Sequence, residues 1–148
     1  MPKETKPAET VSSTAIQTMD PLEALLSVDV VVPEDEVFIK RLNTYFKVKA
    51  PTAREYKALT DRSVRETGKG KNRTRNLELD KFQKLLVYTF TVNPDLSNPK
   101  LMERYGALAP EDVVEKALLP GEIDRLAERI LELGGFGEED DLVDDAKN

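Results

Sequence analysis

Apolar residues recur at helical spacing along much of the chain, most strongly in its second half. Residues 78–92 are apolar around so much of the helical circumference that they predict a central core helix. A second apolar stripe predicts a helix over residues 122–133, ended by Gly134 and Gly135. We therefore expect a hydrophobic core that includes Phe82, Leu86, Leu126 and Ile130.

Capping signals predict shorter helices between these elements. Thr52 and Glu55 have the spacing of a capping box at the start of an apolar helical face. An Asp-Pro pair at residues 20–21 and an Asn-Pro pair at residues 98–99 each precede a short apolar stripe. Pro110 begins another such segment.

Alternating apolar residues predict two or three short strands near residues 28–32, 37–39 and 46–50. The acidic sequence Pro-Glu-Asp at residues 33–35 is the expected hairpin turn. So small a sheet is marginal in isolation and needs helices against one face. The predicted fold is α+β and mostly α, with a small N-terminal β hairpin or sheet packed on a cluster of about five short helices.

The chain length of 148 residues fits one ordinary domain. Residues 1–18 are polar, lack apolar periodicity and predict a disordered N-terminal tail. Residues 138–148 are strongly acidic and predict a C-terminal tail. These limits leave residues 19–137 as a single α+β domain.

The composition disfavours an enzyme. Because cysteine and histidine are absent, the chain has no thiol or imidazole for catalysis or metal binding. All 28 acidic residues look like surface positions, so none shows the burial that would tune a catalytic carboxyl group. We expect no catalytic residue, cofactor or metal. No apolar run approaches the roughly 20 residues that span a membrane, and the N-terminus does not resemble a signal peptide.

Charge is distributed unevenly around a net value of -6. Residues 66–76 have no large apolar side chain and predict a solvated loop. The glycine-lysine sequence in this loop lacks the pattern of a phosphate-binding loop. No aromatic residue is interleaved to stack bases, which disfavours nucleic acid. The candidate contacts to an anionic partner are Lys69, Lys71, Arg73 and Arg75.

Apolar residues also occur within and beside the acidic C-terminal segment. Such residues can dock on a partner's helix or pack back on the chain's own helices, and the sequence leaves both open. The candidate partner contacts are Phe136, Leu142 and Val143.

Five short sequences follow one another in the C-terminal half: Val92-Asn93-Pro94-Asp95-Leu96, Tyr105-Gly106, Leu118-Leu119-Pro120-Gly121-Glu122, Gly134-Gly135-Phe136 and Leu142-Val143-Asp144-Asp145-Ala146-Lys147-Asn148. In order and spacing they resemble the XkdN-like family of phage tail assembly chaperones. The resemblance covers residues 78–148 well and residues 36–60 loosely. It hardly extends to the first twenty residues.

This resemblance implies a non-catalytic protein of the bacterial host cytoplasm that assists assembly of a contractile phage tail. Its implied partners are the tape-measure protein, which it would keep soluble, and the tail tube protein. It would be absent from the mature virion. The basic segment at residues 66–76 and the long polar N-terminus depart from the family pattern. Two alternatives remain: a structural tail or connector subunit of the virion, and a nucleic-acid-binding phage regulator. Self-association also stays open.

Overall fold

The structure is a computed structural model that describes residues 18–29 and 32–137. The described residues divide into two compact units, one containing a short N-terminal helix and the other comprising Val32–Phe136. Apart from Thr18, the two tails expected from the sequence lie outside the described residues. The expectation of one domain over residues 19–137 stays a prediction.

The N-terminal helix, α1, spans Pro21–Ser27 and begins as its capping residues predict. The Asp20 carboxylate accepts a hydrogen bond from the backbone N–H of Glu23 at 3.2 Å. Pro21 takes the first helical position, where its missing N–H costs nothing. This helix contains no buried residue.

A three-stranded antiparallel sheet lies within the larger unit. Strand β1 spans Glu34–Ile39 and pairs along its whole length with β2, which spans Thr44–Lys49. Strand β5, Thr91–Asn93, adds to the other edge of β2. Because side chains alternate along a strand, Val37 and Ile39 face the core while Phe38 stays exposed.

The predicted hairpin turn at residues 33–35 is wrong. Glu34 and Asp35 belong to β1, and the chain reverses instead through a 3-10 turn over Lys40–Leu42. Asn43 completes this reversal with φ 51°, a left-handed conformation that asparagine tolerates better than most residues. Val28 and Asp29 follow α1 outside any strand.

The larger unit contains five helices: α2 Ala53–Arg62, α3 Leu79–Phe90, α4 Pro99–Tyr105, α5 Val113–Ala117 and α6 Pro120–Leu133. Thr52 and Glu55 form both hydrogen bonds of the predicted capping box before α2. The Asn98 side chain caps α4, which ends at Gly106 with φ 65°. The predicted α+β, mostly α fold is confirmed.

Residues 66–76 are all exposed, as their polarity predicts, but they do not form one loop. They belong to a second hairpin, in which β3, Val64–Thr67, pairs with β4, Thr74–Leu77. At its base the N–H of Glu78 donates to the carbonyl of Ser63 at 2.8 Å. The hairpin was missed because it buries no large apolar residue that could reveal strand periodicity.

The hydrophobic core forms where α3 and α6 pack on each other and α6 covers the inner face of the sheet. All four predicted core residues are buried, which confirms that prediction. The sheet contributes Ile39, Phe46 and Val48 to the same cluster. This arrangement places the first turn of α6 between α3, α5 and the β1–β2 turn.

Candidate partner-binding site

A half-buried ion pair joins the β1–β2 turn to the first turn of α6. Arg41 donates from Nε to one oxygen of Glu122 at 2.9 Å and from an Nη to the other at 2.7 Å. The same guanidinium donates to the carbonyl of Ala117 at 2.9 Å. Glu122 also accepts from the backbone N–H of Leu119 at 2.8 Å, so its carboxylate caps α6.

Glu122 is 4% exposed, so the expectation that every acidic residue lies on the surface is wrong. The signal in the sequence is the position of this glutamate two residues after Pro120 and three after the helix-capping position. What the sequence does not show is Arg41, 81 positions away, which supplies the charge that makes the burial tolerable.

The hydrogen bond from Arg41 lowers the pKa of Glu122 against the opposing effect of burial. A carboxyl group with a lowered folded pKa stabilises the fold above its unfolded pKa, and this stabilisation is lost as the pH falls. Glu122→Gln should therefore reduce the drop in thermal midpoint between about pH 6 and about pH 3. Thermal melts followed by circular dichroism measure this, with exposed Glu128→Gln as the control. An unchanged drop would contradict the assignment.

A groove runs between α3, α5 and α6 beside this first turn, with a volume of about 680 Å³. We call it the interhelical groove. Its apolar lining is Leu79, Leu118, Pro120 and Ile123, and its polar lining is Asp80, Gln83, Lys84, Glu115 and Asp124. Such a groove can accept the apolar side chains of another chain while its rim contacts their polar neighbours.

Lys84 fixes the geometry of one wall of the interhelical groove. Its Nζ lies 2.9 Å from a carboxylate oxygen of Asp112 and 3.1 Å from one of Glu115. The hydrogen bond to Asp112 raises the pKa of Lys84 in spite of partial burial. Asp112 in turn has a lowered pKa because of Lys84. These contacts hold α3 against the segment that leads into α5.

A smaller apolar cavity of about 210 Å³ lies on the other side of Leu118. It is bordered by the β1–β2 turn, the segment after β5, α4 and α5. Its lining consists of Leu42, Phe46, Pro94, Leu96, Leu101, Tyr105, Val113, Val114, Ala117 and Leu118. A single apolar side chain of a partner would fit a cavity of this size and lining.

Phe136, a predicted partner contact, follows the end of α6. Gly135, with φ 96°, turns the chain so that the N–H of Phe136 donates to the carbonyl of Leu131 at 3.0 Å. The Phe136 ring lies 5.0 Å from the ring of Tyr56 on α2 but remains partly exposed. The other two predicted contacts, Leu142 and Val143, lie outside the described residues.

The four predicted anionic-partner contacts lie on the β3–β4 hairpin. Lys69 and Lys71 occupy its connection, which includes a 3-10 turn over Gly70–Asn72. Arg73 lies 3.5 Å from Glu66, and Arg75 is opposite Glu66 in the strand register. All four cations are exposed, so they stay candidates for contact with an anionic partner.

In residues 18–29 and 32–137, no cluster of His, Cys, Asp or Glu is arranged to hold a metal ion. The helices of the same part of the chain are too short or too polar to cross a membrane.

The fold and its recesses define a small α+β protein, built from short helices on a three-stranded sheet. The family model described as phage XkdN-like tail assembly chaperone protein matches residues 22–147. The chain belongs to this family, which confirms the resemblance found in the sequence.

A structural neighbour supports the fold. The crystal structure of the protein yqbn is similar with a TM-score of 0.60 at 21% identity, over 81% of this chain and 99% of that chain. At this level of identity the likeness concerns the fold alone. No curated protein matches the chain.

Proposed function

We propose that this tail assembly chaperone acts without catalysis, by binding the tape-measure protein in the bacterial host cytoplasm until the tail tube forms around it. The chaperone then releases its partner. The chaperone itself is therefore absent from the mature, contractile-tailed virion. The tail tube protein is the second proposed partner.

The observation that carries the proposal is the combination of the family with the interhelical groove. A long helical partner exposes apolar side chains before its tube closes, and a holder must cover them. The groove offers four apolar residues, of which Leu79 and Pro120 are exposed, bounded by charged side chains. The net charge of -6 helps to keep the resulting complex in solution.

Co-expression with the tape-measure protein of the same phage tests this function. We expect the tape-measure protein to be soluble and to co-purify with the full chain. Its soluble fraction should fall at least severalfold when the chaperone is omitted. If solubility is the same with and without the chaperone, the proposed function fails. Mass spectrometry of finished particles tests the release, since a permanent subunit would be present in many copies.

Truncation after Gly137 tests two of the three C-terminal contacts proposed from the sequence, Leu142 and Val143. Removing residues 138–148 deletes Leu142 and Val143 but leaves the cap of α6 intact. We expect partner binding to weaken and the thermal midpoint to change little. The reason is that we expect the deleted segment to contribute to partner binding and not to the stability of the fold. Pull-down and thermal melting measure the two effects. A large fall in thermal midpoint would instead make the segment part of the folded core.

A further inference from the structure

We propose that the interhelical groove receives an amphipathic helix that carries lysine or arginine beside its apolar stripe. This inference rests on the proposed function, because it names the kind of partner segment that the chaperone holds.

Apolar groups in the groove remain accessible to a partner. Leu79 lines the groove and is 59% exposed, although it is a large aliphatic residue at the start of α3. Ile123 is half-buried and Pro120 is exposed beside it. Removing apolar surface from water is favourable, so a partner that shields these groups gains affinity from them.

The charge of the groove lining selects the partner. Three carboxylates, those of Asp80, Glu115 and Asp124, stand against one ammonium, that of Lys84. Lys84 is already held by Asp112 and Glu115. Asp80 and Asp124 form no ion pair with any cation among the described residues. A cationic flank is therefore attracted to this rim and an acidic flank is repelled.

The boundaries of the groove favour a helix as the occupant. Its walls are the surfaces of α3, α5 and α6, and helices pack their apolar ridges into grooves of this kind. An amphipathic helix presents apolar anchors three and four residues apart, with charged residues directly beside them. That pattern matches apolar residues in the groove with carboxylates at its rim.

Two labelled synthetic helices of about 18 residues, long enough to fold alone, test the inference against the full chain. Both peptides carry the same leucine stripe. The residues beside the stripe are lysine in one peptide and glutamate in the other. By fluorescence anisotropy we expect the lysine peptide to bind at least about tenfold more tightly at low salt. The difference should shrink as salt screens the exposed charges.

Charge reversal tests whether the lysine peptide binds in the interhelical groove. Asp80→Lys with Asp124→Lys should weaken the lysine peptide about tenfold and strengthen the glutamate peptide. The matched control is Glu36→Lys with Glu103→Lys, which makes the same change in net charge at exposed positions outside the groove. Equal effects of the two pairs would show a non-specific field and overturn the inference.

Substitution of a leucine tests whether the apolar lining of the interhelical groove contributes to peptide binding. Leu79→Ser should weaken the lysine peptide severalfold, because it removes an accessible apolar group from the groove. Leu108→Ser is the control, since Leu108 is 96% exposed and does not line the groove. Unchanged binding by the Leu79 variant would contradict the inference.

Co-expression separates this inference from the proposed function. If the Asp80 and Asp124 reversal keeps the tape-measure protein as soluble as the wild type does, the groove inference fails and the function stands. If the wild-type chain leaves the tape-measure protein insoluble while the lysine peptide binds as expected, the proposed function fails and the groove remains a helix-binding site.

Discussion

Replacing Phe90 by alanine is expected to lower the free energy of unfolding by about 3–5 kcal/mol. Phe90 ends α3 and is 0% exposed, the largest of the fully buried side chains. Its removal leaves a cavity in the cluster shared by the helices and the sheet. Because domains of this size are stable by only about 5–15 kcal/mol, this variant loses a large share of its stability.

Urea denaturation of the Phe90 variant measures this effect, with the slope of the transition checked for constancy. The control is Phe38→Ala, which removes the same ring from the exposed face of β1. Phe38 is 43% exposed and lies 5.0 Å from the ring of Tyr45, so its loss should cost about 1 kcal/mol or less. Equal losses at the two positions would contradict the placement of Phe90 in the core.

Replacing Glu122 by alanine should lower the free energy of unfolding by about 2–4 kcal/mol. The change leaves the N–H of Leu119 without its capping acceptor and removes both hydrogen bonds of the Arg41 guanidinium to the carboxylate. The value is below that of a fully buried ion pair because the Arg41 side chain is 42% exposed.

Thermal melting should show a fall of roughly 5–15 °C for Glu122→Ala. Glu128→Ala is the matched control, since Glu128 lies on the same helix but is exposed. It should change the midpoint by no more than about 2 °C, as surface substitutions usually do. Similar shifts in the two variants would show that the ion pair contributes little to the fold.

Elements that depend on neighbouring residues could be predicted from the sequence. The capping box of Thr52 and Glu55 forms because its partners lie three positions apart and need no distant contact. The same holds for Asn98 at the start of α4 and Gly106 at its end. The apolar circumference of α3 likewise identified the core helix, since a helix apolar on most sides must be surrounded.

Features that depend on distant contacts could not be predicted. The burial of Glu122 requires Arg41 from the β1–β2 turn, and nothing near Glu122 in the sequence identifies that partner. The hairpin turn was misplaced because the acidic sequence at residues 33–35 is typical of turns, yet Asp35 pairs with Arg129 of α6 at 2.7 Å. The interhelical groove depends on how three helices pack, which periodicity alone does not give.

The short sequences that carry the family resemblance have structural roles in the described residues. Gly106 and Gly135 take positive φ values where helices end. Glu122 caps α6 and holds Arg41, and Pro94 and Leu96 line the apolar cavity. These motifs therefore have structural roles in the fold of this chain. The preference for a cationic partner that we propose rests instead on the rim residues Asp80 and Asp124.

The length of α6 sets a lower limit on any partner helix that would contact both the interhelical groove and Phe136, the two proposed contact sites. Its 14 residues extend about 21 Å at 1.5 Å per residue, with the interhelical groove at the first turn and Phe136 just past the last. One straight helix that contacts both sites must itself be about 14 residues long or longer. Shorter fragments of a partner would engage one site at a time and lose the gain in affinity that simultaneous attachment gives.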